Sequence, residues 1–281
     1  MIFPENIGTY LSIDEVALSK GELYTFVTNK NGRGKKGSLV ASVKGTLSKD
    51  IINVLERLPL SAREQVEEVT LDMAKNMESA VKAVFTNCRL VTDRFHVVRL
   101  SMEALQHMRI KQRWEELDKE NTAIDEAKKN KIKYEPVVLE NDDTPKQLLA
   151  RCRYILAKKP SEWTENQKQR SSILFREYPN LKKAYEHTLE FRNIYEQVSM
   201  SSARDMFTRW IEKTHNLELK EFYTVANTVN NNLENILNFF VNRNTNANAE
   251  SFNAKLKLFR ANQRGVVDTK FFLFRLSNLF A

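Results

Sequence analysis

The feature that most constrains this fold is a change of hydrophobic period part-way along the chain. Up to Asp93, short stretches rich in β-branched and aromatic residues alternate with turns and amphipathic helices. From about Leu100 to Val241 nearly everything carries helical spacing, with few breakers. The first region starts with "GTYLSIDEVALS", a strand around Asp14, and "GELYTFVTNK", a second strand. The glycine-rich turn "NGRGKKG" follows, and "SLVASVKGT" returns as a third. Ser48 is placed to cap the helix "KDIINVLERLP", whose Ile51, Ile52, Val54, Leu55 and Leu58 mark one face, with Pro59 beyond its end. "VEEVTLD" reads as a fourth strand ending on Asp72. "NMESAVKAVFTN" reads as a helix burying Met77, Val81, Val84 and Phe85, and "CRLVTD" as a fifth strand ending on Asp93. Three strands joined by hairpins, followed by strand and helix in alternation, predict a mixed sheet with right-handed crossovers. The expected class is α/β.

In the helical block the clearest loop is "NKIKYEPVVLENDDTPKQ". Pro160 and Pro179 sit where new helices start, the first with Ser161 as a cap. No repeat of fixed period appears, which excludes a solenoid. The expected organisation is a first part of the core at residues 1–99, a helical insertion at 100–241, and helices at 242–281 that return to complete the core. A length of 281 residues suits one such interrupted domain. No apolar run approaches the roughly 20 residues that span a bilayer, and "MIFPENIGTY" lacks a secretory pattern, so no membrane association is expected. Cys88 and Cys152 have no zinc spacing and lie in apolar surroundings. They read as buried free thiols in a reducing, cytoplasmic compartment.

Net charge is +8, unevenly spread. Tyr24 to Ser48 holds Lys30, Arg33, Lys35, Lys36 and Lys44 with no acid. Ser251 to Ala281 holds Lys255, Lys257, Arg260, Arg264, Lys270 and Arg275 against Asp268 alone. Uncompensated charge in two separated segments is the footprint of a polyanion-binding surface; a basic but merely solvated surface is the plainer alternative. The turn with Arg33, Lys35 and Lys36 suits phosphate contacts rather than base reading.

Three acids then stand out: Asp14 in the first strand, Asp72 ending the fourth, and Glu250 in "NANAESFNAKLK", isolated among amides, small residues and lysines. If the sheet is RNase H-like, the first and fourth strands are neighbours. Acids on them, joined by one from a following helix, can hold two Mg²⁺ ions, which favour carboxylate oxygens. Any single acid at a strand end can equally be a cap. Asp93 is the competing acid; it is expected to lie one strand further out, orienting Arg94 or His96 or capping the helix that begins there. His96 reads as a structural histidine beside the site. Trp114, Trp163 and Trp210 read as packing residues of the helical block.

The segments "LSIDEVALSKG", "VTLDMAKNMESAV", "LVTDRFHVVRL" and "NANAESFNAKLK" resemble the signature blocks of DDE insertion-sequence transposases, in the branch typed by the element ISL-three. The likeness continues through "LLARCRYILAKKPSEWTENQ" and "ILFREYPNLKKAYEH", in order, over nearly the whole chain. "DRFHVVR" with the later Asn-rich glutamate helix is its most specific part. The resemblance implies an RNase H-like mixed sheet interrupted by a large all-α insertion, with a triad of Asp14, Asp72 and Glu250. It implies cleavage and joining of DNA strands with Mg²⁺, or Mn²⁺ in its place, at transposon ends and target by a homodimer on DNA. On the glutamate helix, Asn246 and Asn253 share the face of Glu250 and are expected to touch phosphates or ligand carboxylates. Lys255, Lys257, Arg260 and Arg264 continue toward the bound strand. Relatives usually carry an N-terminal DNA-binding region, often zinc-ribbon-like; the 13 residues before Asp14 hold none. The chain then reads either as a truncated transposase or as one half of a split system, in which a separate protein would recognise the ends. A catalytically silent DNA-binding remnant and a stand-alone RNase H-like nuclease remain the alternatives.

Overall fold

The computed structural model describes residues 1–18, 21–263 and 268–281. Five strands form one sheet: β1 (Tyr10–Ala17), β2 (Leu23–Asn29), β3 (Leu39–Lys44), β4 (Glu68–Leu71) and β5 (Arg89–Thr92). Their order is β3-β2-β1-β4-β5. The hairpin strands pair antiparallel, while β4 lies parallel to both β1 and β5. The parallel steps require crossovers, supplied by α1 (Ser48–Leu55) and α2 (Leu60–Glu64) before β4 and by α3 (Lys75–Val84) before β5. This is the RNase H-like mixed sheet expected, with the first and fourth strands adjacent.

Strand alternation gives the sheet two unlike faces. Leu11, Ile13, Val69, Leu71 and Leu90 face one side and pack with Ile51 and Leu55 of α1 and Met77, Val81 and Val84 of α3. On the other side Val16, Tyr24 and Phe26 form an apolar corner with residues of α12 (Ala247–Asn262) and α13 (Thr269–Phe280): Phe252, Leu256, Phe272, Leu276 and Phe280. The rest of that side is polar. Ser12, Thr28, Glu68 and Thr70 are buried there, and Asp14 and Asp72 are half-buried.

Residues 1–97 and 232–281 form one compact unit, and residues 98–231 a second. The segment 232–241, read with the helical block from sequence, belongs to the sheet unit. It carries α10 (Leu233–Leu237) and α11 (Phe239–Asn242), and Asn238 Nδ2 donates to the Leu90 carbonyl at 2.8 Å.

The second unit contains most of α4 (Arg94–Lys129), then α5 (Pro145–Arg151), α6 (Glu165–Glu177), α7 (Pro179–Ile194), α8 (Met200–Asn216) and α9 (Lys220–Asn231). Its core includes Leu174, Leu181, Phe191, Phe207, Trp210 and Phe222. The Trp210 ring stacks on His187 at 4.4 Å, and its Nε1 donates to the His187 carbonyl. Trp163 stacks on Tyr185 and donates to the Ile155 carbonyl. Trp114, by contrast, is 56% exposed and is no core residue.

Two expected caps are corrected. Ser48 sits inside α1, and its Oγ donates to the Asn76 carbonyl at 2.6 Å, tying α1 to α3. Ser161 lies within a short 3-10 turn at Pro160–Glu162, and Thr164 caps the long helix by accepting from Gln167 N–H. Pro179 does open α7. Cys88 and Cys152 are both free, Cys152 fully buried and Cys88 partly so. Among the described residues no helix is long and apolar enough to cross a membrane.

Candidate active site on the polar face of the sheet

The pairing register sets the acids in one row. Ser12 lies opposite Thr70, and Leu71 opposite Thr92. Continuing each strand brings Asp14, Asp72 and Asp93 level on three neighbouring strand positions, which lie ~4.8 Å apart laterally. Asp14 is pushed up to about 6, first by burial and then by the negative charge of Asp72 and Asp93. The Glu15 backbone N–H, donating to Oδ1 at 2.8 Å, and the nearby His96 oppose that rise. Asp72 Oδ1 accepts from Ala74 N–H at 2.8 Å, which turns the chain into α3. Asp93 is 1% exposed, and burial raises its pKa. The backbone N–H groups of Asn246 and Phe95, with His96 and Lys30 nearby, act against this. Its Oδ2 is buried without a hydrogen-bond partner.

The structure thus brings Asp14, Asp72, Asp93 and His96 into one neighbourhood. Glu250 is not part of that group. It is exposed in the first turn of α12, and its side chain makes no hydrogen bond or ion pair to a described residue. Asn253, one turn later on the same helix face, donates Nδ2 to Asp14 Oδ2 at 2.6 Å. Three residues of rise therefore separate Glu250 from the helix position that touches Asp14, about 4.5 Å along the axis. Among the described residues no three of His, Cys, Asp and Glu gather as a metal-ligand group.

The asparagines around α12 bond to the sheet unit, Asn242 while still exposed. Asn242 and Asn244 donate to the two carboxylate oxygens of Glu68 at 3.0 and 2.9 Å. The Asn246 backbone N–H reaches Asp93 Oδ1 at 3.3 Å, and Asn248 Nδ2 reaches the Lys30 carbonyl at 3.0 Å. Asn246 is 2% exposed, so it is a buried tie to Asp93 and not a phosphate contact. Asn253 contacts an acid of the row, Asp14.

The basic surface also needs correction. Lys30 is 6% exposed and paired with Glu68 at 3.2 Å, and it donates to the Thr70 hydroxyl as well. Its charge is compensated inside the fold, and burial pulls its pKa down. Lys255 is exposed, yet its Nζ donates to the Gly34 carbonyl at 2.7 Å, holding α12 against the basic turn. Gly34 has φ +65, and a Cβ there would lie 3.4 Å from the Phe252 nitrogen; the approach favours glycine. Arg260 is half-buried, with its guanidinium 4.9 Å from the Phe272 ring centroid and near Glu22, so it does not continue the exposed series. Arg33, Lys35, Lys36 and Lys257 are exposed. Arg264 lies outside the described residues. A cleft of about 510 Å³ adjoins the turn, lined by Lys30, Asn31, Arg33 and Tyr10 on one side and by Arg243, Asn244, Thr245 and Asn248 on the other. No carboxylate lines it.

Sequence reading missed Lys30, Glu68, Arg243, Asn242, Asn244 and Asn248. A signal was present: Glu68, Thr70 and Asp72 alternate along β4 as a polar stripe, and asparagines recur at 242, 244, 246 and 248.

The model of the DDE transposase family of the ISL3 branch, described as "Transposase", matches residues 11–276. The chain belongs to this family. It is also 22% identical over 273 residues to the "Transposase for insertion sequence element IS1001" of Bordetella parapertussis. That alignment takes in 96% of this chain and 61% of the relative, so the chain spans about three-fifths of the relative's length. The buried polar residues, acids and asparagines of the polar face, from Ser12 to Asn253, fall inside the matched span.

Proposed function

We propose that this chain is the catalytic part of a transposase, cleaving and joining DNA strands at insertion-sequence ends by two-metal phosphoryl transfer. The observation that carries the reading is the level row of Asp14 and Asp72 on adjacent strands, inside a chain whose residues 11–276 match the transposase family. Asp14, Asp72 and Glu250 would hold Mg²⁺, with Mn²⁺ as a substitute. The donor set suits a hard cation: burial, and after it the like charges of Asp72 and Asp93, raise Asp14 to about 6, and Asp93 keeps an unpartnered buried oxygen. When bound, the ion supplies Lewis-acid polarisation of a phosphoryl group.

The chain's own residues have distinct tasks in this reading. Asn253 holds one oxygen of Asp14 and orients the other, without adding charge. Near Asp14, His96 offsets negative charge and Asp93 adds to it. Arg33, Lys35, Lys36 and Lys257, with Arg243 across the acid-free cleft, receive the strand's phosphates. The sheet unit, residues 1–97 and 232–281, would then make up the catalytic core, and residues 98–231 its insertion. A homodimer bridging two ends, and a separate end-recognition protein, complete the proposal.

Incubation with a labelled end duplex and Mn²⁺ tests it. Joined products support the transposase, nicking alone supports an RNase H-like nuclease, and binding without either supports a silent remnant.

A further inference from the structure

Hydrophobic burial explains why α12 lies on the sheet but not where it stops. Phe252 packs on Phe26 and Phe280 at 5.6 and 5.0 Å, and such contacts tolerate sliding and rotation of a helix. Directional bonds are needed to set the helix to within the tolerance of a reacting geometry. Asn253 and Lys255 of the helix itself supply two such bonds, to Asp14 and to the Gly34 carbonyl, and Asn246 N–H a third, to Asp93. The rest come from Asn242, Asn244 and Asn248 and converge on two residues of the sheet unit, Glu68 and Lys30.

Glu68 stands at the start of β4, 0% exposed. Its Oε1 accepts from Lys30 Nζ and Asn244 Nδ2, and its Oε2 from Asn242 Nδ2. Arg243 between the two asparagines has φ 53, the left-handed conformation that lets both neighbours reach one carboxylate. Lys30 holds Glu68 with its side chain and Asn248 with its carbonyl. The chain is thus pinned at 242, 244, 246 and 248 immediately before and within the first turn of α12.

We propose that Glu68 is a positioning residue: held by Lys30, it captures the amides of Asn242 and Asn244 and so fixes the placement of α12 and of Glu250 relative to the row of Asp14 and Asp72. The catalytic consequence rests on the proposed function; the placement itself does not. A buried ion pair contributes little net stability compared with apolar side chains of the same shape, so its use here is geometric. Amides, unlike lysines, satisfy the carboxylate without cancelling the charge that keeps Lys30 in place.

The test uses two variants of the full chain. Asn242→Ala with Asn244→Ala removes the donors and leaves the Lys30–Glu68 pair intact. Lys30→Met with Glu68→Gln removes both charges together, so neither is left buried alone. In each, amide hydrogen exchange across 243–256 should quicken roughly tenfold or more, with exchange in β1 and β4 unchanged. The Mn²⁺-dependent cleavage rate at saturating DNA should fall roughly tenfold to a hundredfold, while Kd for duplex DNA stays within about twofold. Unchanged exchange across 243–256 in the asparagine variant overturns the proposal, as does full recovery of wild-type exchange and cleavage in the Lys30–Glu68 variant. If the wild-type chain does not cleave DNA at all, the functional reading fails, and the exchange measurement still decides the positioning role.

Discussion

The two faces of the sheet are made from alternate residues of the same strands, yet they obey opposite rules. Leu71 and Thr70 are chain neighbours, both nearly inaccessible, one against α3 and the other against Lys30. On the apolar face, stability grows with area removed from water, and any side chain of suitable shape serves. On the polar face each group needs a named partner. Glu68 has three donors, Asp14 has two, and Asp93 keeps one oxygen without any. A sheet can therefore hold the fold with one side while leaving the other chemically expensive, and the expense collects at the row of acids.

The contrast can be broken most forcefully at that row. Asp72→Asn removes the charge of a proposed metal ligand and keeps the shape, so Mn²⁺-dependent cleavage should fall by on the order of 10³-fold with the melting curve almost unmoved. Asp93→Asn should cost only ~10–100-fold and lower stability by about 1 kcal/mol, because its oxygen caps α4 and ties Asn246. An inactive Asp93→Asn of wild-type stability, beside an active Asp72→Asn, would exchange their roles.

The neighbours Leu71 and Thr70 give a cleaner test of the two rules. Urea unfolding should show Leu71→Ala losing ~2–5 kcal/mol, with cleavage per folded molecule kept. Thr70→Val is nearly isosteric and should lose about 1–3 kcal/mol, because Lys30 loses an acceptor inside the fold. Equal tolerance at the two positions would erase the distinction between the faces.

The helical unit buries a titratable group of a different kind. His187 is 1% exposed, sandwiched by Trp210 and edged by Phe222, with Nε2 at 2.7 Å from the Thr214 hydroxyl. Burial, and secondarily Lys213, lower its pKa to about 4. Glu190 lies 3.8 Å from Nδ1, but it is engaged by Lys213 at 2.6 Å, and the ring beside it is neutral. The folded state thus refuses a proton that the unfolded chain accepts near 6.5. Stability should fall as pH drops from about 6.5 to about 4, by on the order of 3 kcal/mol from this group. Unfolding midpoints of His187→Gln against wild type should converge across that range; parallel curves would refute the buried neutral ring.

The smallest effect belongs to the exposed bases. Lys35→Ala with Lys36→Ala should weaken all duplexes alike, a few-fold at moderate salt, and reduce the slope of log K against log salt by about 1–2. A loss confined to one DNA sequence would assign base reading to this turn.

The strand and helix segments of the core were readable because their signals are local. Alternation in "YLSIDEVA" and "LYTFVTN", and the glycine turn between "LYTFVTN" and "LVASVK", specify strands and hairpins without outside help. The adjacency of β1 and β4 was legible only on the condition that the sheet is RNase H-like, since strand order is not a local signal. The caps failed because a serine at a helix start has several acceptors to choose from, and Asn76, 28 residues away, won Ser48. Lys30 was counted with the exposed bases because charge in a turn is ordinarily solvated; its partner is 38 residues distant. The asparagines looked like a surface run because amides carry no charge to betray a buried acid.

What the sequence by itself determined is everything that depends on period and on turn chemistry: the five strands, the helical block, the positions of the acids at strand ends, and the family likeness carried by short motifs. What only the tertiary structure decided is pairing at a distance. Which lysine is buried, which acid has an unpartnered oxygen, and which amide holds which carboxylate depend on hydrogen bonds a few ångströms long between residues separated by up to 239 positions, as Asn253 and Asp14 are. Such bonds are short-ranged and directional, so no local pattern can specify them; they exist only once hydrophobic burial has brought α12 onto the sheet.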